Sequence, residues 1–128
     1  MVKIFFKYLL GIFFIFAGRN HFANPEFYLP LIPDYLPFLD LINSVSGIFE
    51  MLLGLGILFK KYSKMAAWGI IVLLLLFIPS HIYFIQIGAC VENGLCVPKW
   101  VAWIRLLLIH PILIFWAYIF TKNKSYGK

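Results

Sequence analysis

The sequence predicts an all-α polytopic membrane protein: a bundle of four transmembrane helices, with a proline- and aromatic-rich interfacial segment between the first and second. Of 128 residues, 63% are hydrophobic and only 12% charged, and the mean hydropathy is +0.94. A soluble domain of this size has too little interior to hide that much apolar surface. The apolar residues fall into four long runs, each bounded by polar or proline-rich chain. The lysines gather at the ends of those runs, so the net charge of +6 points to a lipid bilayer as partner and not to nucleic acid. Residues 1–128 read as a single four-helix domain, without long-period repeat or low-complexity tract.

The first run, Ile4 to Gly18, is short for a hydrocarbon core of about 30 Å, which takes about 20 residues to cross. Lys7 can snorkel to the interface, and the helix is expected to continue through Arg19-Asn20-His21-Phe22. Lys3 and Lys7 ahead of an apolar stretch also resemble a signal peptide. Arg19, Asn20 and His21 follow Ala17-Gly18 at once, and cleavage would leave an odd number of spans, so the segment is expected to be retained. Gly11 and Gly18, two helical turns apart, mark a packing face. Between Asn24 and Pro37, Pro25, Pro30, Pro33 and Pro37 forbid one regular helix. The segment is nonetheless apolar and aromatic, which suits short interfacial or re-entrant pieces, either a plain connection or a lid.

The second run is Leu41 to Phe59, closed by the basic turn Lys60-Lys61-Tyr62-Ser63-Lys64. The third, Met65 to Ile87, is expected to kink at Pro79, which lacks a backbone donor and is followed directly by Ser80 and His81. A loop from Gly88 to Lys99 carries Cys90 and Cys96. The fourth run, Trp100 to Phe120, contains Arg105 and His110, and the tail adds Lys122, Lys124 and Lys128. Lys3 and Lys7, the lysines of the 60–64 turn and the tail lysines all fall on one side. The other side holds Arg19 and Lys99 with Glu26, Asp34, Asp40 and Glu92. The positive-inside bias therefore puts both termini in the cytoplasm and the cysteine loop outside, in a cell membrane.

Glu50 lies near the middle of the second run. A charge at that depth costs about 2.5–3.5 kcal/mol on insertion scales, so it should face protein or water and have a partner. Ser46, Glu50 and Gly54 share one helical face. Glu50, Ser46, His81, Ser80, Arg105 and His110 all belong to the outer half of their runs, and Arg19 and His21 end the first run on that side. The inner half is almost wholly apolar. This asymmetry predicts a polar pocket in the outer half above an apolar plug. The simplest pairing is Glu50 with Arg105, which can be a structural ion pair; Arg19 or one of the histidines is the alternative partner. His21, His81 and His110 could ligate a metal or haem. They carry no C-x-x-C-H signature and no close His pair, and a hydrogen-bonded polar core is the favoured reading. A pocket of arginine, histidine and carboxylate beneath aromatic rings would also suit a quinone or another lipid-soluble head group, with which imidazole and carboxylate could exchange protons.

Cys90 and Cys96, on the side expected to be external and oxidising, are expected to form a disulfide, with Asn93-Gly94 supplying the turn. A structural staple is favoured over a redox pair, whose spacing is usually closer.

The chain resembles the DoxX-like family of small four-span membrane proteins. The matching pieces are Ala17-Gly18 with His21-Phe22 and Pro25, Ile32-Pro33 with Leu36-Pro37, Ser46-Gly47-Ile48-Phe49-Glu50 with Gly54, Phe77-Ile78-Pro79-Ser80-His81-Ile82-Tyr83, and Trp103-Ile104-Arg105-Leu106. His81 stands where that pattern has Asn, and Leu107-Leu108-Ile109-His110 stands where it has a Gln. The resemblance implies a four-helix membrane bundle; the family's namesake is a subunit of a thiosulfate:quinone oxidoreductase. The function expected is a membrane component of a redox system, which binds quinone or supports a membrane or periplasmic oxidoreductase subunit. Arg19, His21, Glu50, Ser80, His81, Arg105 and His110 are the ligand-binding candidates. The alternative is a non-enzymatic assembly or scaffold subunit whose polar cluster is structural. A transporter of a small molecule is a third reading and would need a homo-oligomer.

Overall fold

A computed structural model describes residues 1–92 and 94–122. Helix α1 spans Val2–Ala23, beyond the apolar run, because Arg19, Asn20 and His21 continue it by a further turn. The Asn24 N–H closes that turn on the Asn20 carbonyl at 2.9 Å. Pro25 then opens the short α2, Pro25–Tyr28. Proline is tolerated there because the first helical N–H has no intrahelical acceptor. A 3-10 turn, Leu29–Leu31, follows. The proline-rich segment is thus a pair of short helical pieces and an irregular stretch leading to α3, Leu39–Leu58.

The third apolar run is divided into α4, Ser63–Leu76, and α5, Ile78–Gln86. The break at Phe77 lies just before Pro79, which has no N–H to extend the ladder. At the end of α5, Gly88 adopts φ +91°. Its N–H reaches the Ile85 carbonyl at 3.1 Å while that of Ala89 reaches Phe84 at 2.8 Å. This left-handed cap satisfies carbonyls that the helix end would orphan. The last run comprises α6, Lys99–Ile104, a π-helical turn, Arg105–Ile109, and α7, His110–Thr121. Pro111 cannot donate back to Leu107, and the wider turn absorbs the misfit.

Among the described residues, three helices are long and apolar enough to cross a membrane: Leu39–Leu58, Ser63–Gln86 and Lys99–Thr121. The sequence reading counted four. α1 does not join them, because Lys3, Lys7, Arg19, Asn20 and His21 dilute its apolar run.

α1 lies along α3, α3 against α4, and α4 against α7. The α1–α3 seam is held close by reciprocal glycines. A Cβ on Gly11 would sit 2.8 Å from the Gly54 carbonyl oxygen, and one on Gly18 only 2.5 Å from that of Gly47. Small residues at such a seam let two backbones touch. α7 returns to α1 near the chain termini, where Trp116 Nε1 donates to the Phe6 carbonyl at 3.1 Å. The main core sits towards that end and includes Leu10, Phe14, Ile57, Ala67, Ile70 and Phe120. A smaller core of Phe84, Ala89 and Ala102 lies at the opposite end, packed by Leu95 and Val97 of the cysteine loop. Cys90 and Cys96 are joined in a disulfide. The Val91 N–H to Leu95 carbonyl bond at 2.8 Å closes the loop across it. The expected turn residue Asn93, and the tail residues Lys124 and Lys128, lie outside the described residues. The exterior is apolar, with Phe5, Ile12, Leu52, Leu55, Leu76 and Leu107 all exposed.

Candidate functional site

Between the two cores lies a cavity of about 420 Å³. α3 supplies Asn43, Ser46 and Glu50, the broken α4–α5 helix supplies Ser80, His81 and Phe84, and the π turn supplies Arg105. α1 contributes His21 alone, and Tyr28 of α2 covers it. The rest of the lining is apolar. Four lining residues are exposed on the outside of the molecule: Val45 and Phe49 on α3, and Leu76 and Pro79 at the α4–α5 break. The mouth therefore opens sideways between α3 and the broken helix, with an apolar rim.

His21 organises one wall. Its Nδ1 is 2.7 Å from Asn43 Oδ1, and Asn43 Nδ2 donates to the His21 carbonyl at 3.0 Å. The second bond fixes the amide, so Oδ1 is the atom facing the ring. Oδ1 can only accept, which makes Nδ1 the protonated nitrogen. Glu50 Oε2 lies 3.1 Å from Nε2. That is an ion-pair distance, although Oε2 is buried with no hydrogen-bond partner among the described residues. With His21 as imidazolium and Glu50 as carboxylate, the two opposite charges offset each other. Tyr28 stacks on the His21 ring with centroids 3.9 Å apart, and Asn20 Nδ2 donates to its hydroxyl at 2.8 Å.

The facing wall has a different character. The Arg105 guanidinium carbon lies 5.5 Å from the centroid of the Phe84 ring, over its face. Among the described residues no carboxylate pairs with it. The expected Glu50–Arg105 pair is therefore not formed. α1 is the helix that the glycine seam draws against α3, and it brings His21 to Glu50 first. His81 lies in the same wall, its ring 4.7 Å from that of His110. His110 is buried and does not line the cavity. Its Nε2 donates to the carbonyl of Leu74, in the turn before the helix break, and so serves the backbone. Arg19, the remaining candidate, is exposed and borders a separate shallow cleft with Asn20, Phe13 and Phe16.

The structure thus brings His21, Glu50, Ser80, His81 and Arg105 around one cavity and leaves Arg19 and His110 out of it. Among the described residues no three His, Cys, Asp or Glu side chains gather to hold a metal. The sequence reading missed Asn43 and Tyr28. Asn43 had a usable signal, because it precedes Glu50 by two helical turns and so shares its face. Tyr28 had none, since its place depends on how the proline-rich segment folds back.

Comparison with known proteins gives one family. Residues 10–121 match the family described as Domain of unknown function (DUF8561). No curated protein and no solved structure matches the chain. The expected kinship with the DoxX-like proteins is thereby overturned. The fragments that suggested it are small residues around a buried carboxylate and a proline ahead of polar side chains, features that do not single out one family.

Proposed function

The chain belongs to the DUF8561 family, and from that premise we propose that it is an integral membrane protein whose cavity binds a lipid-soluble ligand through an oxygen-bearing head group. The sideways mouth carries this reading. Its rim residues Val45, Phe49, Leu76 and Pro79 are apolar and exposed, whereas the cavity behind them holds Arg105, His81 and the His21–Glu50 dyad. A ligand entering from lipid meets an apolar throat and then hydrogen-bond donors, the usual layout of small-molecule sites. A quinone meets the acceptor requirement with its carbonyls, and a redox role alongside an oxidoreductase partner follows if quinone is the occupant.

In this reading α1 is a fourth crossing helix. Lys3 and Lys7 snorkel at one end, Arg19 sits at the other, and the glycine seam carries α1 along the full length of α3. The lysine-rich ends lie in the cytoplasm of a cell membrane, and the cavity and disulfide belong to the external half. A second reading, an assembly or scaffold subunit, is favoured by the Asn43–His21–Glu50 network, which ties α1 to α3 whether or not a ligand binds.

The test is purification in a mild uncharged detergent, solvent extraction and mass spectrometry of what is released. A lipid-soluble compound near one per chain is expected, and Val45→Trp at the rim should abolish it without loss of fold. An empty cavity that also takes up none of a panel of quinones and amphiphiles leaves the scaffold reading in possession.

A further inference from the structure

We infer that the ligand is a monoanionic single-chain amphiphile, a long-chain carboxylate, with its head group on Arg105 and its tail leaving between α3 and α5. This rests on the cavity reading above and narrows it. The argument is a count of charge. Among the described residues, Glu50 is the only acid lining the cavity. Its ion-pair partner is His21, whose Nε2 lies 3.1 Å from Oε2, and the imidazolium there offsets its charge. Arg105 is always protonated. His81 can add to the positive charge of the cavity but cannot reduce it. The lining therefore carries at least one uncompensated positive charge, in a space walled mostly by apolar side chains.

A cation in such surroundings is costly unless an anion joins it. The Arg105 guanidinium carbon sits over the Phe84 ring at 5.5 Å from its centroid, and no carboxylate of the described residues pairs with it. A guanidinium fork matches the two oxygens of a carboxylate. His81 and Ser80 border the same space and offer further polar atoms to them. At about 420 Å³ the cavity accommodates a head group and the first part of one chain. The remainder leaves through the apolar rim, where Val45, Phe49, Leu76 and Pro79 are exposed. A neutral head group would leave the arginine charge unmatched.

The test uses the full chain in phosphatidylcholine nanodiscs, with palmitate carrying a carboxyl-13C label and hexadecanol as its neutral counterpart. Palmitate is expected to bind at least tenfold more tightly than the alcohol and to give a separate bound carboxylate resonance. Arg105→Gln should bring palmitate affinity down to that of hexadecanol, and a thermal transition close to that of the unaltered protein shows that the bundle is still folded. Arg105→Lys should keep part of it, because the charge remains and the planar edge is lost. Equal binding of palmitate and hexadecanol, or a preference that survives Arg105→Gln, overturns the inference and leaves the cavity reading intact. Arginine-dependent binding of phosphatidylglycerol in preference to palmitate overturns the single-chain assignment. Failure of palmitate, hexadecanol and a quinone analogue alike overturns both this inference and the reading beneath it.

Discussion

The imidazole of His21 faces an acceptor on each side, and that arrangement decides what its neighbours contribute. Replacing Glu50 by leucine leaves Nε2 buried and unpartnered, at about 1–3 kcal/mol. Replacing His21 by leucine strands Asn43 and Glu50 together, at a similar cost. The two losses overlap, so the double variant should fall short of their sum by about 0.5–3 kcal/mol, the range for residues in one network. Glu50→Leu combined with Arg105→Gln should instead be additive to about 0.5 kcal/mol. Thermal unfolding of the four proteins of each cycle in detergent measures both. Coupling of Glu50 to Arg105 with none to His21 would reject the network described here. Residue chemistry of this kind was half legible in the sequence. That Glu50 must have a partner follows from its depth in an apolar run. Which partner it has depends on which helix lies nearest, and arginine, the stronger base, was the wrong choice on that count.

The helices themselves owe their neighbours to small residues. The α1–α3 contact is reciprocal, for a Cβ on Gly47 would stand 2.9 Å from the Gly18 carbonyl oxygen, and one on Gly54 would stand 2.7 Å from that of Gly11. Each is a backbone atom that no side-chain rotation can move aside. Gly18→Ala or Gly47→Ala should therefore push the helices apart and cost about 1–3 kcal/mol, the range for overpacking. Gly56→Ala meets only the Ala66 methyl at 3.1 Å and should cost less. Because His21 lies within a turn of Gly18 and Glu50 within a turn of Gly47, the first two variants should also weaken ligand retention, scored by the same extraction. Equal stability of all three variants would mean that the seam is looser than the structure has it. The sequence marked Gly11, Gly18 and Gly54 as packing positions but could not say that they meet one another. It located the break at Pro79. The π turn went unread, although Pro111 directly after His110 signals a ladder that cannot continue regularly.

At the scale of the whole molecule, the apolar composition made an all-helical fold with helices long and apolar enough to cross a membrane legible at once, and the grouping of the lysines gives an orientation to test. A topology reporter at Lys61 should read as cytoplasmic and one at Gly94 as external. Cys90 and Cys96 should resist alkylation until reduced. A reversed reporter pattern would turn the cavity towards the cytoplasm, and two labelled thiols in fresh membranes would remove the disulfide staple. The path of α1 was harder to read, because its polar ends blur an apolar run that only its contact with α3 explains. The two helix interruptions, at Phe77 and across Arg105–Ile109, face each other at one level, joined there by His110. Below that level α4 and α7 pack as one base, and above it α5 and α6 pack as another unit under the disulfide loop. Four continuous rods would have to slide along their whole length to change the room between them. Two rods jointed at the same height can tilt their upper parts as a flap, and the space that widens or narrows is the one holding Arg105.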